Sequence, residues 1–314
     1  MHTIGIDIGK ETFHAAFDDQ TVAVFDNTRS GVRQLLRRLK QQDYPASGTQ
    51  IGAEATGAYH LLSCRILKEA GFSVKILNPL LAHRIISGSS LRQVKTDRHD
   101  ALAIRQALLA GFGDEFIDTS EIIALKALIK QREALSHTRI QLKQRLCAHY
   151  LKQEAADVPL HNGLSGILKA CSKEVLVLER RLGAYAKEDQ VLLRSIPGVG
   201  KVTAASLVAY VGDIRRFPSP EKLVAYIGLD PRVYESGSSV KGKGYLTKRG
   251  NAYLRFILFN AAFIARRNNP DLKAYFEKKI KEGKHYFNAM CAVERKLVHV
   301  IHAVWSRRTP FEYR

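Results

Sequence analysis

The apolar positions of this chain fall into two regimes. Over the first third, short β-branched runs alternate with short amphipathic stretches. Residues 2–8 (HTIGIDI) form an apolar run, and 12–17 (TFHAAF) and 21–26 (TVAVFD) follow it with Asp18, Asp19 and Gln20 between them. This spacing predicts an antiparallel meander of three strands. Val32, Leu35, Leu36 and Leu39 then recur at helical spacing over 30–42, with bases on the other face. A strand at 49–54, a helix at 58–70, a strand at 73–77 and a helix opening near Pro79 come next. Residues 88–96 read as a loop and 97–111 as a helix, with Thr96 as its N-cap and Gly111 near its end. The order βββαβαβα predicts a mixed α/β sheet domain over 1–115.

The second regime is helical. Leu125, Leu128, Ile129, Leu135, Leu142 and Leu146 recur at three, four and seven residues, and neither Gly nor Pro interrupts 119–155. One long amphipathic helix is expected there, with a second helical stretch at 164–187 beyond Pro159 and Gly163. Together they predict a helical hairpin or coiled-coil segment over 116–190. A mainly helical domain follows over 191–314: a compact basic unit at 191–267, then helices and a short tail.

Length and charge sharpen this picture. At 314 residues the chain suits two domains. Its 46% hydrophobic and 25% charged content argues against a largely disordered chain. The 49 Lys and Arg outnumber the 30 Asp and Glu, for a net charge of +19. The excess is uneven: +5 over residues 1–193 and +14 over 194–314. A basic C-terminal third implies a polyanionic partner, with nucleic acid the default. Cys64, Cys147, Cys171 and Cys291 form no CxxC pair, which excludes a zinc ribbon or finger and fits reduced thiols in a cytoplasm. The start, MHTIGIDIGK, does not read as a signal peptide. No run of about 18 apolar residues predicts a membrane span.

Four carboxylates carry the candidate chemistry. Asp7 sits at the end of the first strand, within GIDIGK, and Glu54 ends the strand TQIGAE. Asp97 and Asp100, in KTDRHDA, are three apart and so share one helix face. Strand-end acids on adjacent strands can meet a helix-borne pair packed across them. Four acids in one cleft repel and desolvate one another unless a cation lies between them. Oxygen ligands favour Mg²⁺ or Mn²⁺, and such ions support in-line phosphoryl displacement. Read singly, Asp97 is also an ordinary acid of a helix first turn, and Asp7 and Glu54 are ordinary strand-end residues.

The basic C-terminal third adds two features. In 192–212 (LLRSIPGVGKVTAASLVAYVG) a helix, an IPGVG turn and a second helix form a helix-hairpin-helix pattern. Gly198 and Gly200 allow close backbone approach, and the helix start at Lys201 can hold phosphate. Such a module grips nucleic acid without reading bases, although the same turn also serves as a packing corner. Residues 228–250 (GLDPRVYESGSSVKGKGYLTKRG) read as a mobile, positive loop, with Asn251 capping the helix beyond. A hydroxyl there could attack a phosphodiester if a base or metal activated it. The residues alone do not separate Ser236, Ser238 and Ser239. Lys241, Lys243, Lys248 and Arg249 are phosphate-contact candidates or simply solvated charge.

The segments GIDIGKETFHAAF, GAEATGAYH and KTDRHDALAIRQAL resemble the N-terminal domain of the DEDD transposases, which include Piv-like invertases and bridge-RNA-guided insertion-sequence recombinases. IPGVG, GLDP, ESG and TKRGN resemble the family's C-terminal transposase domain, so the resemblance covers most of the chain. It implies a RuvC-like (RNase H fold) domain whose metal-binding acids fall on Asp7, Glu54, Asp97 and Asp100. The family's nucleophilic serine precedes a glycine, which points to Ser236. The resemblance further implies Mg²⁺-dependent strand exchange through a phosphoserine, double-stranded donor and target DNA, and a guide RNA. A homo-oligomer of two or four subunits and a cytoplasmic, nucleoid-associated location in a bacterium or archaeon are expected.

Two other readings use the same residues. A RuvC-like endonuclease or Holliday-junction resolvase would attack with activated water and form no covalent intermediate. An actin-like sugar kinase or ATPase would use GIDIGKET as a phosphate loop. The kinase reading needs a second GxDxG strand, which the sequence lacks, and leaves the positive charge unexplained.

Overall fold

The computed structural model describes residues 1–55, 57–77, 96–156, 163–230, 235–236, 240–241, 246 and 250–313, with the side chains of 153–156, 235–236 and 240–241 not included. It divides into two compact units, Met1–Ser120 and Glu121–Arg314.

The first unit is built on a six-stranded sheet. The expected meander is present as β1 (His2–Ile8), β2 (Thr12–Ala16) and β3 (Val22–Asp26). The helix α1 (Arg29–Gln41) follows, capped by Thr28, whose side chain accepts from the Gly31 amide. Then come β4 (Thr49–Glu54), α2 (His60–Glu69), β5 (Ser73–Leu77), α3 (Asp97–Leu109) and β6 (Asp114–Glu115). The strand order is β3-β2-β1-β4-β5-β6. The pairs β1–β2, β2–β3 and β5–β6 are antiparallel, and β1–β4 and β4–β5 are parallel. This mixed α/β sheet is consistent with a RuvC-like fold. The helix expected near Pro79 and most of the expected 88–96 loop lie outside the described residues.

Period-two alternation sorts the sheet into two faces. Ile4, Ile6 and Ile8 of β1 are buried in one core with Val32, Leu35 and Leu39 of α1 and Cys64 and Leu67 of α2. The alternate β1 positions, Gly5 and Asp7, point to the opposite face, where α3 lies.

The second unit is helical. Its elements are α4 (Ser120–Ala156), α5 (Gly163–Leu182), α6 (Lys187–Leu193), α7 (Lys201–Val211) and α8 (Pro220–Ile227). A two-stranded ladder of β7 (Glu235–Ser236) and β8 (Val240–Lys241) precedes α9 (Ala252–Asn268), α10 (Pro270–Lys281) and α11 (Tyr286–Arg307). Residues 228–250 are expected to form a loop; backbone pairing instead places Ser236 opposite Val240 and Glu235 opposite Lys241.

One core joins these helices. It includes Leu125, Leu128 and Ile129 of α4, Leu178 and Leu182 of α5, and Leu297, Val298, Ile301 and Trp305 of α11. Helix α7 is mostly apolar beyond Lys201, as suits a helix packed inside a core, and seven of its eleven residues are buried. Arg132 of α4 donates from Nε and Nη2 to Glu179 Oε1 of α5, at 3.0 and 2.6 Å. The expected Asn251 cap forms: its Oδ1 accepts from the Leu254 amide at 3.0 Å. Among the described residues no helix is long and apolar enough to cross a membrane.

Candidate active site

Parallel pairing brings the first two acids level. β1 and β4 pair in register from His2 with Thr49 to Ile6 with Ala53. One step further, Asp7 and Glu54 stand side by side at the carboxyl ends of adjacent strands. Gly5 and Gly52 are register partners on the same face.

Those glycines set the height of α3. A Cβ on Gly5 would lie 2.2 Å from the Ala101 carbonyl oxygen and 2.4 Å from the Arg105 amide nitrogen. A Cβ on Gly52 would lie 2.2 Å from Leu108 Cδ1. The α3 backbone thus rests almost directly on the sheet. Ala101, Ile104 and Leu108 form its buried stripe, and the stripe continues toward the N-terminus through Asp100 and Asp97 at helical spacing. The pair therefore overhangs the strand ends that carry Asp7 and Glu54.

Polar contacts hold this placement. Arg105 donates from Nε to the Thr3 carbonyl at 3.0 Å and from Nη1 to Asp19 Oδ1 at 2.6 Å. Arg98 donates to the Gln20 carbonyl at 2.7 Å. Thr96 caps α3 as the sequence predicts, accepting from the His99 amide at 3.3 Å.

The electrostatics record the convergence. The Asp7 carboxyl is pushed up from its ordinary 3.8 to about 6, first by burial, then by the negative charges of Asp100, Asp97 and Glu54; the Ile8 amide opposes this. The other three predicted acids therefore all act on Asp7. Asp100 Oδ1 is buried without a hydrogen-bond partner among the described residues. A buried carboxylate oxygen without a donor is costly and suits a cation.

One member of the cluster escaped the sequence reading. His14 on β2 is the antiparallel register partner of Asp7, so the two side chains share a face. Its Nδ1 lies 3.8 Å from Asp97 Oδ2. One ligand atom from each of Asp7, His14 and Asp97 lies within 4.8 Å of the others. The signal was the position of His14 in the strand after the meander turn, which puts it opposite Asp7.

The other predicted residues belong to the second unit. Gly198 has φ of +90°, and a Cβ there would lie 2.3 Å from the Ala261 carbonyl oxygen of α9. Gly198 is thus a packing corner in this fold. Gly200 is different: nothing lies within 4 Å of a Cβ placed on it. It precedes α7 with no side-chain cap, and Lys201 at the helix start is exposed. Ser236 and Lys241 lie in the β7–β8 ladder. Ser238, Ser239, Lys243, Lys248 and Arg249 lie outside the described residues.

Comparison with known proteins finds matches along most of the chain. A DEDD transposase model of the IS110 type matches residues 4–153, and the model of the transposase IS116/IS110/IS902 family matches 190–277. The chain is 29% identical over 327 residues to the pilin gene-inverting protein of Moraxella lacunata, covering 99% of this chain and 98% of that one. It is 27% identical over 346 residues to the transposase for insertion sequence element IS1111A of Coxiella burnetii, covering 98% and 90%. Two family models over separate stretches and relatives aligned over almost the whole chain agree: this chain belongs to the DEDD transposase family.

Proposed function

We propose that this protein is a DNA transposase or invertase of an insertion sequence, cutting and exchanging strands with a divalent cation and a serine nucleophile. The observation that carries this reading is the convergence of Asp7, Glu54, Asp97 and Asp100 at the strand ends beneath α3. The donor set fits a hard cation, since the acids are oxygen ligands, the other three raise the proton affinity of Asp7, and Asp100 Oδ1 is buried without a donor among the described residues. Asp7, Glu54, Asp97 and Asp100 would hold Mg²⁺ or Mn²⁺. When bound, such an ion would polarise a phosphodiester and stabilise charge developing on the attacking and leaving oxygens.

The protein's own residues account for the remaining chemistry. Ser236 Oγ attacks the phosphorus, an Oγ–P bond forms, and a sugar oxygen leaves and takes up a proton. The reverse step, with a different strand's hydroxyl attacking the phosphoserine, reseals DNA without ATP because the phosphodiester energy is kept. Lys241, Lys243, Lys248 and Arg249 contact phosphates beside Ser236. α6, the turn through Gly198 and Gly200, and α7 act as a helix-hairpin-helix, with Lys201 and the uncapped amides of α7 facing the nucleic-acid backbone. α4 and α5 associate subunits as a coiled coil in a dimer or tetramer. A bridge RNA pairs with donor and target DNA, leaving the protein to read charge and shape. The net positive charge of the C-terminal third supports that division of labour.

A recombination assay in cells tests this reading. A plasmid carrying the coding sequence with its flanking non-coding DNA should yield recombinant junctions. Asp7→Ala, Asp100→Ala, Ser236→Ala and deletion of the flanking segment should each abolish them. Junctions that persist with Ser236→Ala would overturn the serine mechanism and favour attack by activated water.

A further inference from the structure

We propose that His14 is a nitrogen ligand of the metal centre, so that the site prefers Mn²⁺ over Mg²⁺. The inference rests on the reading of the acids as a cation site and adds a donor that an all-carboxylate set lacks. Three observations carry it. The β1–β2 register fixes His14 opposite Asp7. Its neighbours Phe13 and Ala15 are fully buried on the other face, so the strand cannot turn His14 away without exposing them. Its Nδ1 stands 3.8 Å from Asp97 Oδ2, beyond a hydrogen bond. Two atoms bound to one ion at about 2.1 Å lie roughly 3–4.2 Å apart, so that separation admits a shared ion.

The chemistry follows from ligand type. Mg²⁺ takes oxygen ligands and gives up its water reluctantly, whereas imidazole suits the transition metals. Replacing one oxygen donor by imidazole therefore tilts a carboxylate site toward Mn²⁺ without excluding Mg²⁺. A plain His14–Asp97 ion pair is the competing account, and it predicts no nitrogen on the ion.

The test is metal binding by the full chain, with no DNA and no turnover. Mn²⁺ is titrated into metal-free protein and followed by electron paramagnetic resonance, with Mg²⁺ as competitor. Pulsed measurements then look for nitrogen coupling to the bound Mn²⁺. The wild type should show that coupling and bind Mn²⁺ at least about tenfold tighter than Mg²⁺. His14→Asn should lose the coupling and most of the preference while its thermal melt stays close to wild type. Bound Mn²⁺ without nitrogen coupling in the wild type, or coupling retained in His14→Asn, overturns the assignment of His14. Asp7→Asn separates the two claims: it should weaken Mn²⁺ and Mg²⁺ alike. If it leaves both unchanged, the reading of the acids as the cation site fails; if it weakens both while the wild type lacks nitrogen coupling, only the His14 assignment fails.

Discussion

Gly5 and Gly52 face each other across the β1–β4 pairing, and α3 lies on both. The two differ in what they touch. A methyl at Gly5 meets the α3 backbone at Ala101 and Arg105, whereas a methyl at Gly52 meets only side chain, the Cγ and both methyls of Leu108. Backbone cannot step aside as a side chain can. Gly5→Ala should therefore cost about 3 kcal/mol of stability and Gly52→Ala about 1 kcal/mol. Gly5→Ala should also weaken divalent-cation binding, because it lifts the helix that carries Asp97 and Asp100. Denaturant melts and cation titrations of the two variants check this.

Asp7 should make the metal-free protein sensitive to pH. Its carboxyl is held near 6 in the fold against an ordinary 3.8. Between those values the folded state binds more protons than the unfolded state, so stability falls as pH rises from about 4 to about 6. Asp7→Asn removes that fall and should gain on the order of 1 kcal/mol at neutral pH, discounted for its partial exposure. A divalent cation should reverse the order, stabilising wild type more than Asp7→Asn. Melts across this pH range, with and without Mn²⁺, show both effects.

A second buried acid lies far from the strand ends in sequence. Glu294 on α11 is 2% exposed. Burial pushes its carboxyl up to about 8, against the opposing charges of Arg255 and Arg295. Stability of the C-terminal unit should fall as pH rises from about 4.5 to about 8. Glu294→Gln should flatten that fall and add about 2 kcal/mol above pH 8. Unfolding of wild type and variant at pH 5 and pH 9 is the check.

The IPGVG turn divides packing from binding. Gly198→Ala combines a positive φ with a clash against the α9 backbone, and should cost about 2–3 kcal/mol. Gly200→Ala meets open space and should stay within about 0.5 kcal/mol of wild type. Lys201→Ala should leave stability alone but weaken nucleic-acid binding, lowering the salt slope of log K by about one. Filter binding at several salt concentrations reads that slope.

Much of this was legible in the sequence because local rules decide it. The three strands of the meander, β4, β5 and the Thr96 and Asn251 caps follow from alternation, β-branching and capping chemistry. The four acids could be grouped because two end strands and two share a helix face. Other features depend on what meets across the sheet. His14 becomes a neighbour of Asp7 only through antiparallel register, and Gly5 matters only because a helix backbone crosses it. β6, two residues long, carries no periodicity to read. Gly198 reads in the sequence as a phosphate-binding glycine or a packing corner, and only its α9 surroundings show that its Cβ side is packed. The β7–β8 pairing at Ser236 was hidden by a composition rich in Gly, Ser and Lys, which reads as loop.

The most direct measurement is a covalent trap. The protein is incubated with labelled DNA from the gene's flanks, its cognate RNA and Mn²⁺, then quenched in detergent. A protein–DNA adduct should form, with the phosphate mapping to Ser236 by mass spectrometry, and it should vanish with chelator, Asp100→Asn or Ser236→Ala. Cleaved DNA with free ends and no adduct, or an adduct that survives Ser236→Ala, would contradict the account.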